Sequence, residues 1–259
     1  MSDMARQSLI EWTDATWNPS TGCTKVSAGC KNCYAEREAL KLQNRFPKYR
    51  DGFEFRIHKD QLDLPLRWHQ PKMIFVNSMS DLFHEEMPLE FLHRCFAVML
   101  EGDRHIYQIL TKRPARMLQY CRVDFPRFFV RELPDHIWFG VTVEDASTKW
   151  RTDTLRKVPA KVRFISFEPL VGPVGKLDLS RISWAIVGGE SGPHHRIMKP
   201  EWAREIRDQA VGQNVPFLFK QWSGFRPKSL GRELDGTIWD EYPAAGLSRP
   251  RKLAVISAE

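Results

Sequence analysis

The sequence predicts an α/β protein: a single, partial parallel β/α barrel of six to seven strands. Three observations point there. Short apolar runs alternate with helical patterns along most of the chain, and such alternation implies right-handed βαβ units and a parallel sheet. The runs are nearly continuous in apolar residues, as strands buried on both faces are. No GxGxxG or GxxxxGK[ST] follows the first strand, which argues against a doubly wound nucleotide-binding sheet or a P-loop.

Taken in order, an early strand precedes Cys23, and a helix over Tyr34–Leu42 begins right after Cys33. Asn44–Pro71, rich in Arg, Lys and aromatics, breaks the pattern and reads as an insertion or lid. Met73–Asn77 (MIFVN) is β-branched and aromatic and stops at Ser78-Met79-Ser80-Asp81. Pro88–Leu100 carries Leu89, Leu92, Phe96, Met99 and Leu100 at helical spacing, with Pro suited to a first turn. His105–Leu110, His136–Val143, Val162–Phe167, Trp184–Val187 and Val215–Lys220 read as further strands. Helical patterns follow near Ala115–Cys121, from about Ala146 to Lys157, and over Pro200–Gly212, where Trp202, Ile206 and Ala210 share a face. Residues 1–225 therefore form the barrel, with the insertion at about 44–71. From Gly224 onward periodicity is lost, so 226–259 reads as a tail packed on the barrel or trailing from it, with a weak basic patch at Arg249, Arg251 and Lys252.

Composition narrows the class. The chain has 259 residues, 42% hydrophobic and 27% charged, which is ordinary for a globular domain and unlike a disordered one. Lys+Arg is 39 against Asp+Glu 32, a net charge of +7, which favours a polyanionic partner. No apolar run reaches the roughly 18 residues of a membrane helix, and the first residues lack the apolar core of a secretion signal. The five cysteines are an odd number with three crowded together, the wrong pattern for a secreted disulfide framework. The expectation is a cytoplasmic protein without membrane contact.

The strongest chemical signal is Thr21–Glu36, TGCTKVSAGCKNCYAE, with Cys23, Cys30 and Cys33 at C-x6-C-x2-C spacing. A C-x2-C pair puts two sulfurs within reach of one metal centre, and Gly22 and Gly29 let the backbone fold back so that Cys23 can join them. A helix starting behind Cys33 would stabilise thiolates through its N-terminal amides. Three thiols without a fourth ligand fit a [4Fe–4S] cluster with one iron open to a non-protein ligand. Structural zinc would need a fourth ligand, from His84, His194 or His195. Cys95, on the apolar face of a helix, and Cys121, at a helix end, read as packing residues.

In a parallel barrel the chemistry sits at the C-terminal strand ends. Those ends carry Ser78, Ser80 and Asp81, then Thr111 and Lys112, Thr142 and Glu144, Glu168, Gly188-Gly189-Glu190, and Lys220-Gln221. Plainer roles exist for each. Lys112 could face solvent, Ser78 and Ser80 could form a turn, Asp81 could cap a helix, and Glu168 and Glu190 could be structural.

Together GCTKVSAGCKNCYAE, SMSDLFHEEMP, ILTKRP, FGVTVE, ISFEPLVGPV and IVGGESG resemble a bacterial and phage family defined by a three-cysteine motif. That family is itself similar to radical S-adenosylmethionine (SAM) enzymes, most of all to the spore photoproduct lyase branch. The resemblance spans roughly residues 8–225. It implies that Cys23, Cys30 and Cys33 hold the cluster and that Tyr34 sits beside it. Ser78 and Asp81 would meet the amino-acid end of SAM, Lys112 its carboxylate, and Thr142 and Glu144 its ribose. Gly188 and Gly189 would let the adenine approach, with Glu190, and by likeness Glu168, as catalytic carboxylates beside the substrate. An electron donor and a 5′-deoxyadenosyl radical belong to that chemistry. Two departures stand out. Radical SAM enzymes typically have a first cysteine gap of three, and here it is six. Asn77 occupies the position of the lyase's hydrogen-donor cysteine, so the lyase's own radical relay does not carry over.

Nucleic acid, DNA before RNA, is the expected partner. Arg45, Lys48, Arg50, Arg56 and Lys59 are interleaved with Phe46, Tyr49, Phe53 and Phe55; cations serve phosphates, and aromatics stack on unpaired bases. The leading expectation is thus an iron–sulfur enzyme of radical SAM type that repairs or modifies DNA. One alternative is a non-enzymatic iron–sulfur or zinc protein that binds nucleic acid. The other is a radical SAM-like enzyme acting on a protein or small molecule.

Overall fold

Each apolar run of the sequence becomes a strand of one sheet. In the computed structural model, which describes Ser8 and residues 10–244, these are β1 (Ala15–Trp17), β2 (Met73–Val76), β3 (Ile106–Thr111), β4 (Ile137–Thr142), β5 (Arg163–Phe167), β6 (Trp184–Gly188) and β7 (Phe217–Gln221). All pair in parallel and in chain order, β1-β2-β3-β4-β5-β6-β7. The sheet curls into a half-barrel and stays open, with β1 and β7 as its edges.

Sequential order means that every crossover steps the same way. Right-handed connections then put the helices on one face. These are α1 (Tyr34–Leu42), α2 (Leu89–Glu101), α3 (Pro114–Gln119), α4 (Phe125–Phe129), α5 (Trp150–Leu155) and α6 (Pro200–Gly212). Strand side chains alternate between the two faces. Ile74 and Val76 join a large buried cluster with Phe91, Leu92, Cys95 and Phe96 of α2. Met73 and Phe75 point the other way, into a second cluster with Trp12, Trp138, Phe164 and Trp184. Trp184 meets Trp12 and Trp138 edge-on, at ring separations of 6.4 and 6.3 Å. Cys95 and Cys121 are both buried, as packing residues are.

Two connections depart from the expected strand–helix alternation. The helix after β3 does not end near Cys121; a π-helical turn, Tyr120–Asp124, carries α3 into α4. No helix joins β5 to β6. Pro169, Gly172, Pro173 and Gly175 forbid a regular one there. That crossover instead buries Leu170, Val174, Leu177 and Leu179 in the large cluster. Its backbone is held from α6 and the residue after it, with the amides of Leu177 and Leu179 donating to Gln209 Oε1 (2.6 Å) and Gln213 Oε1 (2.9 Å).

The insertion folds back on the segment between β1 and Cys23. Arg56–Ile57 pairs antiparallel with Ser20–Thr21, and the Cys23 amide donates to Phe53 O at 3.2 Å. Beyond β7, residues 239–241 cover the sheet edge: the Phe219 amide donates to Trp239 O (3.0 Å) and the Glu241 amide to Phe217 O (3.2 Å). Arg249, Arg251 and Lys252 lie outside the described residues. Among the described residues no helix is long and apolar enough to cross a membrane.

Candidate functional site at the strand ends

The chain leaves β1 and turns at Gly22, whose φ of +81° suits glycine and where a Cβ would overlap the Glu54 carbonyl. The loop then carries all three clustered cysteines across the C-terminal edge of the sheet. Cys23, Cys30 and Cys33 are free thiols of intermediate burial, and Cys33 stands at the N-cap position of α1.

Three strand-end carboxylates, each paired with an arginine, hold this loop at its start, middle and end. After β2, Asp81 accepts from Thr111 Oγ1 (2.7 Å), the Phe83 amide (2.9 Å), the Lys112 amide (3.1 Å) and Arg113 Nη1 (3.2 Å). Arg113 then reaches the loop, with Nη1 3.4 Å from Cys23 Sγ and Nη2 2.7 Å from Thr24 Oγ1. Its Nε donates to Glu85 at 2.6 Å. After β4, the fully buried Glu144 pairs with Arg151 (3.1 Å) and accepts from Ser27 Oγ (2.6 Å). Gly29 lies flat on Glu144, and a Cβ there would overlap the Glu144 side chain. After β6, Glu190 pairs with Arg196 (2.5 Å) and accepts from Asn32 Nδ2 (2.9 Å).

The electrostatics follow from these contacts. Burial pushes the Cys23 thiol up to about 11, helped by Asp81 and opposed by Arg113. The Arg113 hydrogen bond holds Glu85 down at about 2. Burial pushes Glu190 upward, but hydrogen bonds from Arg196 and Asn32 outweigh it and keep the carboxyl below the usual range.

The remaining strand-end residues have their own partners. Lys112 is half-buried, touches Thr142 Oγ1 at 3.4 Å and forms no ion pair among the described residues. Glu168 reaches across Gly188 to Lys220 Nζ at 2.5 Å. A Cβ on Gly188 would lie 3.1 Å from Glu168 Cδ, and one on Gly189 would overlap Ser223. The close approach that both glycines permit is therefore already made by the protein itself. Tyr34, on α1, donates its hydroxyl to Ser78 O, and Ser78 Oγ donates to Asn18 Oδ1 at 3.2 Å. Asn77 is buried at φ +60° and donates to Ser20 Oγ at 3.0 Å.

Among the described residues, no group of three or more His, Cys, Asp or Glu stands together in a metal-binding array. The donor set still fits a cluster: three free thiols on one anchored loop, an arginine beside Cys23, and the first amides of α1 behind Cys33. Holding a metal there would require the three thiols to converge further. The histidines considered for zinc are engaged elsewhere or exposed. Both His84 ring nitrogens face backbone amides, of Thr24 and Glu86, at 3.2 Å. His195 Nδ1 lies 2.8 Å from Gly192 O, and His194 is exposed.

On the insertion, Arg45, Lys48 and Lys59 are exposed. Arg50 and Arg56 share Asp51. Sequence reasoning missed Arg113, Arg151, Arg196, Ser27 and Asn32. Arg113, Ser27 and Asn32 meet their partners through the fold, 32, 117 and 158 residues away, whereas Arg151 and Arg196 lie seven and six residues from theirs. The one available signal was stoichiometric: buried acids at strand ends require cations.

No curated protein and no solved structure matches the chain. One family model does, over residues 7–243, described as "Protein of unknown function (DUF5131)". With nearly its whole length matched, the chain belongs to that family.

Proposed function

We propose that this protein is an iron–sulfur enzyme of radical SAM type that repairs or modifies nucleic acid, DNA in preference to RNA. One observation carries the reading: three free thiols ride on a single loop at the C-terminal edge of a curled parallel sheet, and that loop is fastened by three carboxylate–arginine pairs. Catalytic groups collect at that edge in parallel barrels, and a loop tied at three points keeps its thiols there.

Cys23, Cys30 and Cys33 would hold the cluster. A bound [4Fe–4S] cluster supplies one-electron reduction and an open coordination position. The chain's own residues do the rest. Lys112, without a carboxylate partner among the described residues, offers a compact cation to the SAM carboxylate. Asp81, Glu144 and Glu190 act in this reading as positioning residues for the cysteine loop. The basic insertion binds the phosphate backbone, and the thiol-bearing loop faces a reductive cytoplasmic setting with an electron donor.

A second reading is a non-enzymatic iron–sulfur protein that binds nucleic acid. It is favoured by one fact: both oxygens of Glu190 are taken by Arg196 and Asn32, which leaves no free base there. Anaerobic reconstitution followed by dithionite and SAM separates the two. The enzyme releases 5′-deoxyadenosine; a fully loaded protein that releases none overturns the radical reading and leaves the binding one.

A further inference from the structure

Two adjoining cavities open where the insertion meets the cysteine loop. The first, about 610 Å³, is lined among others by Lys48, Arg50, Phe55, Arg56 and His58. The second, also about 610 Å³, is lined among others by Cys23, Gln43, Phe53, Glu54, Phe55 and Glu86. Phe55 and Glu86 line both, so the two share a wall. Each lies within the usual range for small-molecule sites.

Their chemistry differs in balance. The first sets Lys48, Arg50 and Arg56 against Asp60 and Glu86 and is cationic on balance. Asp51 pairs with Arg50 and Arg56, while Lys48 forms no ion pair among the described residues and its ammonium lies 5.1 Å from the centre of the Tyr49 ring. The second gathers carboxylates. Asp51 is committed to the two arginines, and Glu36 to Lys25 at 2.9 Å. Glu54 and Glu86 make no side-chain hydrogen bond or ion pair among the described residues, and they share their cavity with the aromatic faces of Phe53 and Phe55. Phe55 is backed by His84, stacked at 4.4 Å and 6°, and the His84 ring contacts the Thr24 amide next to Cys23.

We propose that the paired cavities bind one unstacked nucleotide, phosphate in the first and base in the second, and that they favour a base bearing an exocyclic amine. Guanidinium and ammonium groups suit phosphate oxygens. Aromatic faces take a base that has left its stack. Carboxylates accept from an amine such as cytosine N4 and meet uracil's carbonyl with like lone pairs. In a duplex both faces of a base are covered by its stacked neighbours, so a base resting on Phe53 and Phe55 comes from single-stranded or extruded nucleic acid. The inference rests on the nucleic-acid half of the proposed function and not on its cluster.

The test is calorimetric titration of the whole chain with cytidine monophosphate, uridine monophosphate, cytidine and inorganic phosphate. Saturable binding of cytidine monophosphate is expected, about tenfold weaker for the uridine nucleotide and about tenfold weaker for cytidine. Lys48 and Arg50 are exposed, so the K48A/R50A double variant keeps the fold, checked by circular dichroism, and weakens both nucleotides alike. Glu54→Gln removes the preference for cytidine monophosphate and leaves inorganic phosphate binding unchanged. The proposal is overturned by absent or non-saturable nucleotide binding, by unchanged affinity in K48A/R50A, or by uridine monophosphate binding as well as its cytidine counterpart. Iron and sulfide assay of the same preparation separates the two ideas. Cluster without nucleotide binding sinks this inference alone, and nucleotide binding without cluster sinks the iron–sulfur reading alone.

Discussion

Arg113 is the residue on which most of the cysteine loop depends. It bridges Asp81, Glu85, Thr24 and the Cys23 thiol, and its side chain is 10% exposed. Removing one member of a buried ion pair costs about 3–5 kcal/mol when the other charge is orphaned. Asp81 keeps Thr111 and two backbone amides, so Arg113→Ala should cost less, about 2–3 kcal/mol, measured by urea unfolding. The backbone amides of Cys23 and Thr24, which donate to Phe53 O and His84 Nε2, should then exchange hydrogen faster than in the parent chain as the loop loosens; unchanged exchange would contradict the anchoring role. Arg113→Lys should recover only part, since one ammonium cannot span four partners. The cysteine cluster was legible because its three members sit within eleven residues of sequence. Arg113 was not, because Asp81 finds it only after β2 and β3 pair. The same holds for Gly188: it reads as a space for a ligand until the fold brings Glu168 across it.

At the level of elements, strands were the most legible feature. A short apolar run such as Trp184–Val187 announces a strand buried on both faces, and each of the seven lies within two residues of where its pattern predicts it or, for β1, in the expected place before Cys23. The helix-free β5–β6 crossover was less legible, because its apolar residues Leu170, Val174 and Leu177 mimic spacing that its prolines and glycines do not allow. Two glycines give opposite predictions. A Cβ on Gly29 would overlap Glu144, so Gly29→Ala should detach the middle of the cysteine loop and destabilise by about 1–3 kcal/mol. Gly212, the last residue of α6, has nothing within 4 Å of a Cβ. Gly212→Ala should therefore stabilise by about 0.5 kcal/mol through helix propensity and a stiffer unfolded chain. Thermal melts of both variants check the pair, and stabilisation by Gly29→Ala would refute the Glu144 contact.

Across the whole molecule, one open parallel sheet presents a tryptophan-filled inner face and a helix-covered outer one. Trp184 is fully buried in the inner cluster, so Trp184→Ala should cost about 3–5 kcal/mol. Whether the barrel closes was not legible in the sequence, since closure depends on whether β1 meets β7, two strands about 200 residues apart; the sheet leaves both as edges. The anchoring pairs also set an acid limit. Glu85 and Glu190 titrate below their ordinary carboxylate value. Their contribution is therefore fully present above the unfolded-chain value, near pH 4.3. It is lost as pH falls from there toward the folded values, about 2 for Glu85. Far-ultraviolet circular dichroism should hold from neutrality down to about pH 4.3 and decline below it; loss near pH 6 would contradict this. The most direct measurement of the central claim is iron and acid-labile sulfide in anaerobically reconstituted protein, with C23A, C30A, C33A and C95A/C121A alongside. The account predicts about four of each per chain, retained in C95A/C121A and lost from each of the three loop variants. Absence of sulfide from the parent protein, or full retention in C30A, would contradict it.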